Sequence, residues 1–351
     1  MNMGKTKKIT LADVAAHADV SAITVSRALR NPHKVSKALR KRIQHSVIAL
    51  GYVPDQAARA LATGRTDIIG VIIPSVTNSV YSDVLRGIYE GTEETPFDIQ
   101  LGNTRYSPSK EEDLLRVFLN QKPAGLIVTG LDQTQIAESL LESAACPIVQ
   151  IMDITSDPVD MIVGFSHFDA ARVATEHLLT QGYRRLAFLG ARMDPRTQRR
   201  FDGFKTAASF AGAFDNKRVV TTTSPSTVTM GSQLFSDLLV QSPDVDAVFC
   251  NNDDLALGAL FEAQRRNIHI PKDLGICGFN DLEMMASAEP ALTSVRTRRY
   301  KMGSKAVSML LERISNNANN SQPIIDLGFD VQVRASTNRA LTLPSRNIGQ
   351  L

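Results

Sequence analysis

The sequence predicts an α/β protein in two unequal parts: an all-α N-terminal headpiece, then a body of doubly wound parallel sheets. Three observations carry that prediction. Residues 10–30, TLADVAAHADVSAITVSRALR, read as two short helices joined by a tight turn. From Asp67 onward, short apolar runs alternate with longer amphipathic segments. Charge divides at the same place: residues 1–66 hold twelve Lys/Arg against three acids, +9 in a chain of net charge +3, which leaves −6 for the rest.

The headpiece elements follow in order. Thr10 can cap the first helix, with Asp13 three residues on, and Leu11, Val14 and Ala15 have the spacing of a core-facing stripe. Asp19 occupies the turn position that usually wants a glycine with positive φ, a region aspartate tolerates better than most residues. Ser21 caps the next helix, where Val25, Ala28 and Leu29 are expected to face the core and Ala22, Ile23, Ser26 and Arg27 the other side. Ser36 opens a third helix whose Leu39, Ile43, Val47 and Leu50 close the core, and Gly51 ends it. This is a helix-turn-helix suited to a DNA major groove. A three-helix bundle without that role is disfavoured by the +9 charge, the footprint of phosphate binding in one domain. The segment YVPDQAARAL is a second DNA-contacting candidate, set against an ordinary Ala-rich linker helix.

In the body the apolar runs are 68–73, 97–101, 125–129, 147–152, 161–165, 184–190, 247–251 and 274–279, with helical segments at Ser79–Thr92, Lys110–Gln121, Asp169–Gln181 and Leu255–Arg266. The pattern divides near Phe165 into two similar halves. It contains no phosphate-cradling loop, no dinucleotide fingerprint, no HExxH and no GxSxG, so neither an enzyme nor a cofactor is expected. The six histidines lack metal-ligand spacing, and Cys146, Cys250 and Cys277 read as reduced thiols in or beside strands. Met1–Thr10 is basic without an apolar h-region, and no apolar segment is long enough to span a membrane. A cytoplasmic protein is expected.

Open α/β sheets place ligands at the C-terminal ends of their strands. The polar candidates there are Asn78, Tyr81, Thr129, Asp153, Asn252 with Asp253, and Asn280 with Asp281. Arginine is the more discriminating signal. Arg196 and Arg200 lie four apart on one helical face, while Arg192 and Arg199 read as surface charges paired with acids. Arg105 is a further cleft candidate. An arginine fork suits a carboxylate, which it can hold bidentately.

The motifs LADVA, VSAITVSRAL, LGYVPDQAARAL and IGVIIP together resemble the LacI/GalR family of bacterial transcription regulators, over residues 9 to about 337. The resemblance implies that Ala22, Ile23 and Arg27 face base edges and that Ser21, Thr24 and Ser26 bond phosphates. It adds Thr10, Leu11, Asn31 and Tyr52 to the DNA-facing set. It also implies a hinge helix begun by Pro54 and capped by Asp55, where the family more often has asparagine. There Ala57, Ala58 and Ala60 let two copies lie side by side in a minor groove, and Leu61 is the wedge. The implied domains are a headpiece at 1–52, a hinge and linker at 53–66, and a body at 67–341 that resembles sugar-binding periplasmic proteins. Its N-subdomain would comprise 67–165 with 297–327, and its C-subdomain 166–296 with 328–341, with effector in the cleft between.

By the same likeness the polar candidates match effector-contacting positions, Arg200 an effector-binding arginine, and Arg299 a position where neutral-sugar members often carry an aromatic. QIMD, VGF, LGARMDPRT, VFCNNDDLALGA and the late DLGF are similar to the gluconate-repressor branch of the family. Two positions depart from it: Ser166-His167, where an acid or amide is usual, and Asn280, where GFH is frequent. The implied protein is a homodimeric repressor on a pseudo-palindromic operator, released by gluconate or a ketogluconate. A neutral sugar is the alternative effector and a purine base a distant one. No heptad-like tail follows Thr337, which favours a dimer over a tetramer.

Overall fold

The structure, a computed structural model, describes residues 9–30, 34–53, 64–315 and 323–339. Asn31 and the hinge residues Pro54, Asp55, Ala57, Ala58, Ala60 and Leu61 lie outside the described residues. Contacts divide the chain into two units, Met1–Thr66 and Asp67–Leu351, each with its own core.

The headpiece holds helices α1 (Leu11–His17), α2 (Ala22–Arg30) and α3 (Lys37–Leu50). Thr10 and Asp13 cap α1 reciprocally: Thr10 Oγ1 accepts from the Asp13 N–H at 3.3 Å, and Asp13 Oδ2 from the Thr10 N–H at 2.8 Å. Asp19 takes the left-handed turn at φ 48°, and Arg42 donates to its carbonyl at 3.2 Å. Gly51 ends α3 at φ 60°, the backbone form that glycine adopts without steric cost. Val14, Ala15, Ala18, Val25, Ala28, Ile43 and Tyr52 form the core, with Leu11, Leu39, Val47 and Leu50 packed against it. One stripe residue departs from expectation. Leu29 is 40 % exposed, because α2 meets the core through Val25 and Ala28 and Leu29 falls beyond that edge.

The body contains two six-stranded sheets. The first is built from β1 (Ile68–Ile73), β2 (Asp98–Asn103), β3 (Gly125–Thr129), β4 (Ile148–Ile151), β5 (Met161–Gly164) and β11 (Ile324–Asp326). Its strands run parallel in the order β11-β5-β4-β3-β1-β2. The second comprises β6 (Leu186–Ala191), β7 (Val219–Thr222), β8 (Ala247–Cys250), β9 (Gly275–Asn280), β10 (Thr293–Thr297) and β12 (Phe329–Gln332). Its order is β12-β10-β9-β8-β6-β7, with β12 antiparallel to β10 and the others parallel. Each sheet reverses its winding once, between β1 and β3 and between β6 and β8, and such switch points are where doubly wound sheets leave a crevice.

The connecting helices are α4 (Val80–Thr92), α5 (Pro108–Asn120), α6 (Gln135–Glu142), α7 (His167–Thr180), α8 (Pro195–Phe210), α9 (Val228–Gln241), α10 (Asp253–Arg265), α11 (Met284–Ser287) and α12 (Arg299–Ile314). Pairing shows that the chain leaves the first sheet after β5, returns to it through α12 after β10, and crosses again between β11 and β12. Gly87 and Gly303 let α4 and α12 touch backbone to backbone. A Cβ at Gly87 would lie 2.2 Å from the Tyr300 carbonyl, and one at Gly303 2.0 Å from that of Val84. Four strands lie outside the apolar runs of the sequence. VVTT (β7), TSVRT (β10), IID (β11) and FDVQ (β12) are short and mixed in polarity, and three of them end a sheet where one side meets solvent.

Candidate functional site

In the headpiece, Ser21 Oγ accepts from the Thr24 N–H at 3.2 Å and lies 2.8 Å from Thr24 Oγ1, so both hydroxyls sit at the start of α2. Ala22, Ile23 and Arg27 are exposed on the outer face, and Thr24 and Ser26 are half-buried at its margin. Ile23 is 71 % exposed, an apolar group in water that nothing in the headpiece core requires. Thr10 is exposed at the start of α1. Tyr52 is placed otherwise: its ring is buried in the headpiece core, which gives it a packing role there.

The body holds a cavity of about 390 Å³ lined by residues that follow strands of both sheets. After β1, Asn78 and Tyr81 line it, the latter on the first turn of α4. After β6 come Arg192, Asp194, Arg196 and Arg200, after β8 Asn251 to Asp254, and at the end of β9 Asn280. Asn78 donates to the Tyr106 hydroxyl at 2.9 Å. Arg192 lies 3.7 Å above the Tyr106 ring, a cation–π contact between the two halves. Arg196 donates to the Tyr81 hydroxyl at 3.1 Å across the same divide. Burial pushes the Tyr81 phenol up to about 12, so it stays neutral.

Arg200 is the most constrained of these groups. Its Nε donates to His167 Nδ1 at 3.1 Å and its Nη1 to the Asn251 carbonyl at 2.6 Å. Its guanidinium lies 3.8 Å over the Phe279 ring. Burial, with like charge on Arg196, brings it down to about 10, still cationic at neutral pH. Asn280 holds φ 113°, a strained region for any residue with a side chain. Its Oδ1 is buried with no hydrogen-bond partner among the described residues. Asn252 caps α10 by accepting from the Leu255 N–H at 3.1 Å and also accepts from Ser226 at 2.8 Å. Asp253 is fully buried, accepting from Ser294 at 2.6 Å and from the Leu282 N–H at 2.7 Å. Burial pushes its carboxyl up to about 7.

Five sequence candidates stand elsewhere. Arg299 is buried but absent from the cavity wall: it donates to Asp83 at 2.9 Å, to Thr297 at 3.3 Å and to the Asn280 carbonyl. A carboxylate on α4 already occupies the fork that the sequence reading offers to a ligand. Asp281 is spent on ion pairs with Arg296 and Arg334, both at 2.7 Å. Asp153 is buried against Arg199 at 2.9 Å. Thr129 donates to the Ile72 carbonyl at 3.0 Å and faces an adjoining cavity. Arg105 is exposed at φ 53°, and its neighbour Tyr106 turns inward instead.

The converse errors are equally instructive. Arg192, expected at the surface, lines the cavity because φ 66° at its position turns the loop after β6 inward. Arg199 reaches two acids after the first sheet's strands, Asp132 at 2.6 Å and Asp153 at 2.9 Å, rather than acids of its own helix. Tyr106 and Asp194 escaped the sequence reading. The Pro after Asp194 was the available signal, since Asp-Pro marks a capped helix start, and Asp194 does accept from the Thr197 N–H at 2.9 Å. Among the described residues, no group of His, Cys, Asp or Glu could hold a metal ion, and no helix is long and apolar enough to cross a membrane.

Comparison with known proteins agrees with both parts. Residues 10–55 match the bacterial regulatory proteins of the lacI family, and residues 175–337 match a periplasmic binding protein-like domain. The chain is 40 % identical to the HTH-type transcriptional regulator GntR of Pseudomonas aeruginosa, over 96 % of this chain and 98 % of that one. It is 38 % identical to GntR of Escherichia coli, over 93 % and 97 % respectively. A solved LacI-family transcriptional regulator from Silicibacter pomeroyi superposes with a TM-score of 0.87 at 35 % identity, covering 94 % of this chain and all (100 %) of the other. The chain belongs to the lacI family and is a DNA-binding transcriptional regulator, not an enzyme. Members of this family bind operator DNA and small-molecule effectors as dimers.

Proposed function

We propose that this regulator is a repressor of sugar-acid catabolism, released from a pseudo-palindromic operator by gluconate or a related sugar acid bound in the body cavity. The observation that carries the reading is the pairing of opposite needs in one cavity. Arg200 keeps its positive charge at the wall, while the buried Oδ1 of Asn280 still lacks a donor among the described residues. A sugar acid supplies both complements: a carboxylate for guanidinium and hydroxyls for unmatched acceptors. Asp194 and Asp254 on the same wall add acceptors for a polyol chain. A neutral sugar would satisfy the acceptors but bring no carboxylate to the guanidinium.

The protein works as a linked two-state system. Effector closes the cleft, and operator affinity falls by the ratio of effector affinities for the two states. Ala22, Ile23 and Arg27 read bases, Ser21, Thr24 and Ser26 hold phosphates, and Leu61 wedges the central step. The test is titration of operator release with gluconate, ketogluconates, 6-phosphogluconate and neutral hexoses. Release by gluconate or a ketogluconate at a concentration at least tenfold below any neutral hexose is expected. Equal release by glucose would overturn the sugar-acid reading.

A further inference from the structure

His167 is the first residue of α7, placed there because Ser166 caps the helix by accepting from the Asp169 N–H at 3.1 Å. It lies where the chain has just left the first sheet. The imidazole is 1 % exposed, 4.5 Å from the Phe165 ring and 6.0 Å from that of Phe279. Both nitrogens are committed. Nε2 lies 2.8 Å from the Met152 carbonyl, and Nδ1 3.1 Å from Arg200 Nε. A guanidinium has donors only, so Nδ1 must accept, and the carbonyl accepts only, so Nε2 must carry the proton. The two contacts together specify one neutral tautomer.

Three contacts hold the Arg200 plane: the Asn251 carbonyl, the Phe279 face and His167. The first two come from strands of the second sheet, or the residue after one. His167 alone is tied to the other half, through Met152, which follows β4 and itself lines the cavity. Among the described residues Arg200 Nη2 makes no hydrogen bond, and it belongs to a side chain on the cavity wall.

We infer that His167 is a positioning residue for effector recognition: by accepting from Arg200 Nε it sets the guanidinium plane, so that the free edge faces the cavity before ligand arrives. This rests on the proposed reading of the cavity. Preorganisation of this kind raises affinity by removing the cost of ordering a rotamer-rich side chain at binding. It also makes Arg200 sensitive to the separation of the two sheets.

Two substitutions divide the roles of the ring. His167→Asn keeps an acceptor near the place of Nδ1 and loses the donor to Met152; His167→Gln keeps a donor near the place of Nε2 and loses the acceptor. Calorimetric binding of gluconate to the full-length protein should stay within threefold of the parent in His167→Asn. It should weaken 30-fold or more in His167→Gln and in His167→Phe, with operator affinity unchanged in all three. Equal loss in His167→Asn and His167→Gln, or loss in His167→Asn alone, overturns the inference.

Nitrogen-15 NMR of the parent protein tests the geometric premise without any ligand or intact variant. A neutral ring protonated on Nε2 at pH 7, with Arg200 Nε–H bonded to Nδ1, is expected. A ring protonated on Nδ1 overturns the inference. If gluconate fails to bind the parent while this signature is present, the sugar-acid reading falls and the positioning role stands.

Discussion

In the headpiece the apolar side chain proposed to meet DNA, Ile23, is 71 % exposed, whereas in the body the cation proposed to meet ligand, Arg200, is 8 % exposed. The difference follows from what each must recognise. A groove comes to the protein with its own wall of acceptors, and a rigid helix need only offer a face. A small solute brings few contacts, so the protein must supply a dry enclosure and hold its charges by internal partners. Among the described residues Arg27 makes no hydrogen bond or ion pair that could be lost, while Arg200 has three contacts, and Arg299 is engaged by Asp83, Thr297 and Asn280.

That contrast can be broken in four places. The largest effect is expected from Arg299→Met. Removing the buried cation takes from Asp83 one of its two arginine partners, the other being Arg86 at 3.0 Å, and leaves the Asn280 carbonyl without that donor, at a cost of about 3 kcal/mol in the denaturant unfolding of the body. If stability holds and only effector affinity falls, Arg299 is a ligand group after all. Next, Arg200→Met should weaken gluconate binding by about 2–3 kcal/mol, since a charged hydrogen bond is lost and nothing replaces it. Operator binding should persist and become insensitive to effector.

Arg27→Ala should do the reverse, costing roughly 2 kcal/mol at the operator by gel shift and nothing in gluconate calorimetry. An effect on calorimetry would remove the independence of the two regions. The smallest effect concerns pH. Burial, with Arg200, Arg196 and Arg199 adding like charge, holds His167 well below its ordinary value. A depressed folded value means its contribution is complete above the unfolded value near 6.5 and is lost as pH falls below it. Unfolding free energy should therefore drop below pH 6.5 by at most about 1.4 kcal/mol per pH unit, and less steeply in His167→Asn. Equal slopes would place the acid sensitivity elsewhere.

The headpiece was legible because local rules decide it. Caps at Thr10, Ser21 and Ser36, an αL-tolerant residue at Asp19 and a glycine stop at Gly51 act within a few residues of themselves. Its two misplaced side chains, Leu29 and Tyr52, depend on which face each segment turns to the core, and packing rather than local pattern decides that. The sheets were legible where strands are buried on both faces, and were missed at the short, polar edges. The cleft was legible by position and obscure by orientation. Strand ends pointed to Asn78, Tyr81, Asn252 and Asn280 and helical spacing to Arg196 and Arg200, all of which line the cavity. Whether an arginine there serves ligand or protein depends on acids more than a hundred residues away: Asp83 takes Arg299 over a separation of 216 residues, and no local pattern reports it.

Arg199 bears on how the protein's DNA affinity should be measured. Its pairs with Asp132 and Asp153 span the two sheets of the body, and Arg199 and Asp132 are each about a third exposed to solvent. Mobile ions screen such partly exposed pairs, so added salt loosens this strap. Salt also weakens operator binding by a different route, because each neutralised phosphate releases a counterion. A plot of log affinity against log salt therefore sums two processes, the ion count at the duplex and the ease with which the cleft changes shape. Read alone it would miscount the phosphates; repeated on Arg199→Gln, it would return the number that belongs to the DNA.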